Sequence, residues 1–485
     1  MRTLETETCY RALSARDRRF DGLFFVGVST TGIYCRPVCT ARTPRQERCA
    51  FYRTAAEAER AGFRACLVCR PELAPGGAPV DSVTRLVAAA VSRIEEGALN
   101  ESSIDDLAGE LGVTGRHLRR AMEAELGISP VELAQTRRLA LAKQLLQDTA
   151  LPLAEVAFAS GFQSVRRFNA LFQSRFGRSP SELRRKGSET AGARALVLRL
   201  DYRPPLDWEH LLDFLRGRAI PGVEHVGDSE YRRTVRLGGR TGWLVVRRDP
   251  DRPALRAEVS LSLAGVLMEV AARLRTLFDL DARPEVIAEC LGRDELLAKQ
   301  LQTHPGLRVL GAFDGFEMTV RAILGQQVSV RAATTLSGRL VARLGEPVEG
   351  PHPETSRLFP SPETLAAATE DEVAALGLPG ARARSLLAVA RALADGSVRL
   401  DRHAGVDETM AALETLPGIG PWTAHYIAMR ALRWPDAFPA SDLGIRKALG
   451  GVTAKAATER AEAWRPWRSY AVMHLWNSLS EGAGG

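Results

Sequence analysis

The sequence predicts a multidomain, mainly helical protein with two small sheet-containing parts. Three observations predict it. The chain has 485 residues, too many for one hydrophobic core and suited to about three or four domains. Two breaks in composition, PELAPGGAPVDS at 71–82 and RRKGSETAGARA at 184–195, read as linkers. Beyond them the pattern switches once more: strand-like alternation after 194, then helical spacing from Leu263 to the end.

Composition narrows the partner. Hydrophobic content of 45% and charged content of 25% are ordinary for a globular protein. No run of 18 or more apolar residues occurs, and the start MRTLETETC has no secretory pattern, so a cytoplasmic location and no membrane partner are expected. A net charge of +7 favours a polyanion as partner.

The first block carries four of the seven cysteines in two close pairs. Cys35 and Cys39 lie in GIYCRPVC, and 26 residues later Cys66 and Cys69 lie in ACLVC. Two short loops that each offer two thiolates suit one tetrahedral zinc ion, which would clip together a segment of about 75 residues with little core of its own. One zinc ion with four cysteine ligands is therefore expected. Cys9, Cys49 and Cys290 fit no such spacing and read as plain thiols of a reducing compartment.

The second block contains a repeat. SIDDLAGELGVTGRHLRRAMEAELGISPVEL (103–133) is echoed by PLAEVAFASGFQSVRRFNALFQSRFGRSPSEL (152–183). Each copy reads as a helix, a turn at Gly112 or Gly161, and a second helix ending at Gly127 or Gly177. Ser129 and Ser179 are the expected N-caps of the next helix in each copy, with proline at its first position. A long helix over 131–149 joins the copies. Paired helix-turn-helix units place second helices in the DNA major groove, and Arg116, Arg119, Arg120, Arg166, Arg167 and Arg175 are expected there as exposed cations. A plain helical bundle is the competing reading.

In the third block ALVLRLDYRP, YRRTVRL, GWLVVRRD and LRAEVSL read as an antiparallel sheet, with WEHLLDFLRGRA as a helix between the first two. Further on, LETLPGIGPWTAHYIAMRAL (413–432) predicts a helix, a tight turn with Gly418 and Gly420, and a new helix from Pro421. Open glycine amides and a helix N-terminus fit a DNA phosphate. LGLPGARARSLL (376–387) is a looser version. AFPASDLGIRKALG (437–450) then sets Asp442 directly before a helix, where it reads either as an N-cap or as a functional carboxylate.

These strings resemble known families. The repeat resembles the DNA-binding domain of AraC-family regulators. The L-P-G-x-G pattern is that of the helix-hairpin-helix motif, and Asp442 stands where helix-hairpin-helix glycosylases carry their catalytic aspartate. RAILGQQVSV (321–330), LPGIGPWTAHYIAMRA and WRPWRSYAVMHLW (464–476) resemble AlkA-type 3-methyladenine DNA glycosylases. That resemblance implies Trp422, Tyr426, Trp476 and Phe214 as the base pocket, while Trp464 and Trp467 read as core. Members that also cut the backbone carry a lysine where this chain has Trp422, so a monofunctional glycosylase is implied. The chain departs from the AlkA pattern at Gln327, where an apolar wedge would fill the gap left by a flipped base, and at Ser441.

The cysteine block resembles the N-terminal domain of Ada-type adaptive-response regulators. The resemblance implies Cys35 as acceptor of a methyl group from a DNA methylphosphotriester, with Thr31 and Arg42 against the DNA backbone; the alternative is an inert fourth ligand. The P-C-H-R string of a second methyltransferase domain does not occur. The expected architecture is an Ada-like zinc-bound α/β module at 1–78 and an AraC-type double helix-turn-helix at 79–187. An α+β sheet domain of the AlkA kind at 194–302 and an all-α helix-hairpin-helix domain at 303–485 complete the chain. The expected function is excision of alkylated bases by a monomeric, nucleoid-associated bacterial protein that also senses methylation and activates promoters, with double-stranded DNA and RNA polymerase as partners. A DNA-binding regulator without catalysis is the alternative.

Overall fold

The structure, a computed structural model, describes residues 5–76, 84–184, 195–400 and 405–481. Residues 77–82 and 185–194 of the two expected linkers lie outside them. The earlier part of the first linker is not one: Pro71–Leu73 form a 3-10 turn in which Pro71 and Leu73 are buried. No helix among the described residues is long and apolar enough to cross a membrane.

The chain forms two compact units. The first comprises Met1–Arg203, Leu237–Arg240 and Asp249–Ala272; the second comprises Pro204–Arg236, Thr241–Arg248 and Arg273–Gly485.

In the first unit, strands β1 (Phe25–Val28), β2 (Ile33–Cys35), β3 (Cys49–Tyr52) and β4 (Arg64–Ala65) form a sheet in the order β3-β1-β2-β4. Strand β1 is antiparallel to β2 and β3, whereas β4 runs parallel to β2. The β1–β2 turn needs Gly32 at φ +64, a left-handed conformation that a side chain would resist. Helix Thr6–Ser14 packs Cys9, Ala12 and Leu13 against Phe24 and Val26.

The repeat folds as its pattern predicts. Helices Ile104–Glu110 and Gly115–Leu126 make the first unit, Leu153–Ala159 and Val165–Phe176 the second, and Pro130–Asp148 joins them. Ser129 and Ser179 each cap their helix in a reciprocal bond with a glutamate three residues on. Gly127 and Gly177 close the second helices at φ +69 and +66. Leu118 and Met122 in one copy, and the run Phe168, Phe172 and Phe176 in the other, supply the inward faces. Strands β5 (Ala195–Asp201) and β9 (Ala254–Ser260) pair antiparallel over their whole length within this unit.

The second unit holds β6 (Glu224–Val226), β7 (Glu230–Leu237) and β8 (Arg240–Arg248), apart from the residues at the β7–β8 turn that belong to the first. Strand β6, too short to stand out in the sequence, pairs antiparallel with β7. Helix Trp208–Arg216 is capped by Asp207. The remaining chain is helical and buries Val320, Ile323, Leu386, Leu413, Ile419 and Ile427 in one core. Ile419 sits inside the glycine turn between helices Val406–Glu414 and Pro421–Arg430, so the same core anchors that turn.

Candidate functional site

The four cysteines meet because β4 adds parallel to β2. Cys66 N donates to Tyr34 O at 3.0 Å, which sets Cys66 beside Cys35 at the strand end. The four ligand sulfurs lie within 4.8 Å of one another. A set of four soft donors this close fits a tetrahedral zinc ion, and Cys35, Cys39, Cys66 and Cys69 would hold it. Hydrogen bonds from Cys35, Cys39 and Cys69 pull the Cys66 thiol far below its usual range. The sulfurs are not equivalent. Backbone N–H groups reach three of them: Ala41 at Cys39, Val68 at Cys66 and Arg36 at Cys69. No backbone N–H reaches the half-buried Cys35 sulfur among the described residues. Thr31 and Arg42 are exposed.

Arg116, Arg119, Arg120, Arg166 and Arg167 are exposed on the second helices of the repeat. Arg175 is not free as expected. It pairs with Glu59, a carboxylate buried behind the cysteine sheet, which needs a cation and finds the nearest one.

In the second unit, Trp422 and Tyr426 stand one turn apart on helix Pro421–Arg430, their rings stacked at 5.4 Å and 9°. Trp476, on helix Arg468–Glu481, has its ring 6.1 Å from Tyr426. Asp442 caps helix Leu443–Ala448 by accepting from Ile445 N at 2.9 Å. It also accepts the indole N–H of Trp422 at 2.9 Å and that of Trp476 at 3.0 Å. Capping uses one lone pair; the two indoles aim the rest of the carboxylate at the ring cluster. Trp464 and Trp467 are core, as expected.

Phe214 is buried, and its ring face carries the Arg218 guanidinium at 3.7 Å and that of Arg430 at 5.1 Å. Arg430 also donates to the Tyr426 hydroxyl at 3.0 Å. Burial would push the Tyr426 phenol up, but Arg430, Arg218 and Arg321 outweigh it and bring it below its usual value. Burial brings Arg218 itself down to about 10. The sequence reading missed these arginines. Arg218 and Arg430 each come four residues after a pocket aromatic, a helical spacing that could have pointed to them.

The turn Leu416–Gly420 forms as predicted. Gly418 is left-handed at φ +77, and a Cβ there would meet Ser385 Oγ at 2.2 Å. Gly420 faces open space and precedes a helix with no side-chain cap, so its first amides are open to an anion. Gln326 ties the neighbouring loop to this turn, donating to Gly418 O at 2.9 Å and Thr423 Oγ1 at 3.0 Å. Gln327 beside it is exposed and left-handed at φ +56. Leu443, directly after Asp442, is 77% exposed.

Four family descriptions match in succession. They are "Metal binding domain of Ada" at 8–72, "Helix-turn-helix domain" at 107–186, "AlkA N-terminal domain" at 197–314, and "HhH-GPD superfamily base excision DNA repair protein" at 320–468. Over 482 residues the chain is 43% identical to the "Probable bifunctional transcriptional activator/DNA repair enzyme AlkA" of Mycobacterium tuberculosis, covering 98% of this chain and 96% of the relative. The chain belongs to this AlkA family of bifunctional activator/DNA repair enzymes. Within it, the C-terminal part is 40% identical over 277 residues to DNA-3-methyladenine glycosylase 2 of Escherichia coli, 57% of this chain and 95% of that one. The fold of this part is shared with the 3-methyladenine DNA glycosylase of Archaeoglobus fulgidus, with a TM-score of 0.52 at 24% identity over 57% of this chain and 97% of that one.

Proposed function

We propose that this member of the AlkA family hydrolyses the N-glycosidic bond of alkylated bases in DNA, and that its cysteine cluster senses methylation of the DNA backbone. The observation that carries the first part is the Asp442 carboxylate held by the indoles of Trp422 and Trp476.

The damaged nucleotide leaves the stack, which costs on the order of a few kcal/mol, and its base enters the pocket of Trp422, Tyr426, Trp476 and Phe214. An N-alkylated purine is cationic, so electron-rich ring faces attract it. The bond from C1′ to the base nitrogen breaks, and its electron pair leaves with the base. A purine already positive accepts that pair without a proton. Positive charge builds on the sugar, and the fixed carboxylate of Asp442 stabilises it in a low-dielectric site. Water then bonds to C1′ and gives up its proton. With Trp422 in place of a lysine no Schiff base forms, and the strand stays intact. Gly418 and Gly420 would seat a backbone phosphate, and Gln327 would enter the gap left by the base.

In the first unit, zinc when bound keeps the sulfurs ionised. An N–H···S bond spreads a sulfur's charge and dulls it as a nucleophile, so Cys35, which has no such backbone donor among the described residues, is the reactive one. Its sulfur bonds to the methyl carbon as the carbon–oxygen bond of the triester breaks, and a phosphodiester anion leaves. Thr31 and Arg42 would hold the adjoining backbone. A doubly negative tetrathiolate site becomes singly negative, which weakens its repulsion of DNA and strengthens promoter binding through Arg116, Arg119, Arg166 and Arg167.

The test sets the unaltered protein beside Asp442→Asn and Cys35→Ala on DNA carrying 3-methyladenine and methylphosphotriesters. Asp442→Asn is expected to lose base release and keep DNA binding. Cys35→Ala is expected to keep base release and to gain no methyl group by peptide mass spectrometry. Absence of base release from the unaltered protein would leave a regulator whose C-terminal part only clamps DNA.

A further inference from the structure

The second unit brings together a second set of metal-ligating side chains, far in sequence from the cysteines. Asp207 caps helix Trp208–Arg216, and His210 lies in its first turn. His304 ends helix Glu295–Thr303. Ligand atoms of these three residues lie within 4.8 Å of one another. His304 Nδ1 is 3.1 Å from Asp207 Oδ2, close to the roughly 3.3 Å edge of a tetrahedral zinc site with bonds of about 2.0 Å. The two imidazole rings lie 5.1 Å apart.

The backbone holds this arrangement. Gly306 at φ +85 passes so close that a Cβ would meet Pro205 C at 2.5 Å, and Asp207 N donates to Gly306 O at 3.2 Å.

We propose that Asp207, His210 and His304 form a second, three-ligand site for a divalent transition metal of the zinc class, with the fourth position open to water. Two imidazoles and one carboxylate are a donor set that zinc accepts outside thiolate sites. The metal would tie helix Trp208–Arg216, which carries the pocket ring Phe214 one turn beyond His210, to the end of helix Glu295–Thr303.

The experiment measures zinc per chain in the full-length protein after zinc loading and exhaustive dialysis, then repeats the loading with cobalt(II). The expected result is two metal ions for the unaltered protein and one for His210→Gln and for His304→Gln. The second cobalt equivalent should give intense tetrahedral visible bands without thiolate charge transfer, and these bands should vanish in both variants while the thiolate bands stay. Circular dichroism of the two variants matching the unaltered protein shows that the loss is local. One metal per chain in the unaltered protein, or two in both variants, overturns the proposal.

Discussion

Arg175 Nη1 donates to the Glu59 carboxylate at 2.5 Å, joining helix Val165–Phe176 to the helix Ala55–Arg60 that backs the cysteine sheet. Glu59 also accepts from Tyr34 OH at 3.0 Å and Thr136 Oγ1 at 2.6 Å. Tyr34 directly precedes Cys35, so one buried carboxylate connects the strand of the proposed methyl acceptor with a helix of the proposed promoter reader.

Burial raises the pKa of Glu59 from 4.5, although Arg175, Thr136 and Tyr34 pull the other way. A raised folded pKa means that this group contributes stability fully present below its unfolded pKa and lost as pH rises through the folded one. Thermal melts taken upward from about pH 4.5 should therefore fall more steeply for the unaltered protein than for Glu59→Gln, which has nothing to ionise. Identical slopes would mean that Arg175 holds the carboxylate ionised throughout.

Asp442 is held by two indole N–H groups, and Trp476→Phe removes one of them while leaving an aromatic ring. Loss of one positioned donor near a developing charge is expected to slow single-turnover base release by about 10- to 100-fold. Affinity for alkylated DNA should change little. A loss confined to affinity would instead make Trp476 only a stacking surface.

The Arg218 guanidinium covers the Phe214 face that a cationic base would use. Arg218→Ala removes the nearer of the two guanidiniums on this ring, and with it a like charge. KM for a cationic lesion such as 3-methyladenine should fall several-fold, while KM for an uncharged purine lesion should stay within about twofold, because only the cation was repelled. Equal changes for both lesions would show that Arg218 acts by shape alone.

The range of each interaction decides whether sequence reveals it. The capping serines Ser129 and Ser179, the left-handed Gly127 and Gly177, and the turn at Gly418 are settled within four residues, so local pattern reveals them. Asp442 is ambiguous in sequence for the same reason: its cap to Ile445 is local, whereas its bond to Trp476 spans 34 residues. The pairing of Arg175 with Glu59 spans 116 residues, and the approach of Arg430 to Phe214 also crosses elements, so local pattern suggests exposure where burial rules. The buried turn Pro71–Leu73 resembles linker because proline and glycine mark any irregular backbone, packed or not.

Gln327 holds a left-handed backbone that disfavours any residue with a side chain, at a cost of about 1 kcal/mol or more. Gln326 and Arg382 pin the loop on one side, the latter donating to Gln326 O at 2.6 Å, so Gln327 cannot relax without breaking those bonds. Its place beside the glycine turn puts this exposed, left-handed residue in position to meet DNA. Gln327→Gly is therefore expected to raise the melting temperature while lowering single-turnover base release from duplex DNA. The same variant should act at nearly the unaltered rate when the damaged base faces an abasic gap, where no opposing base competes for the flipped position. A variant that is more stable and equally fast on ordinary duplex would show that Gln327 does not enter the helix, and would shift attention to the exposed Leu443 beside Asp442.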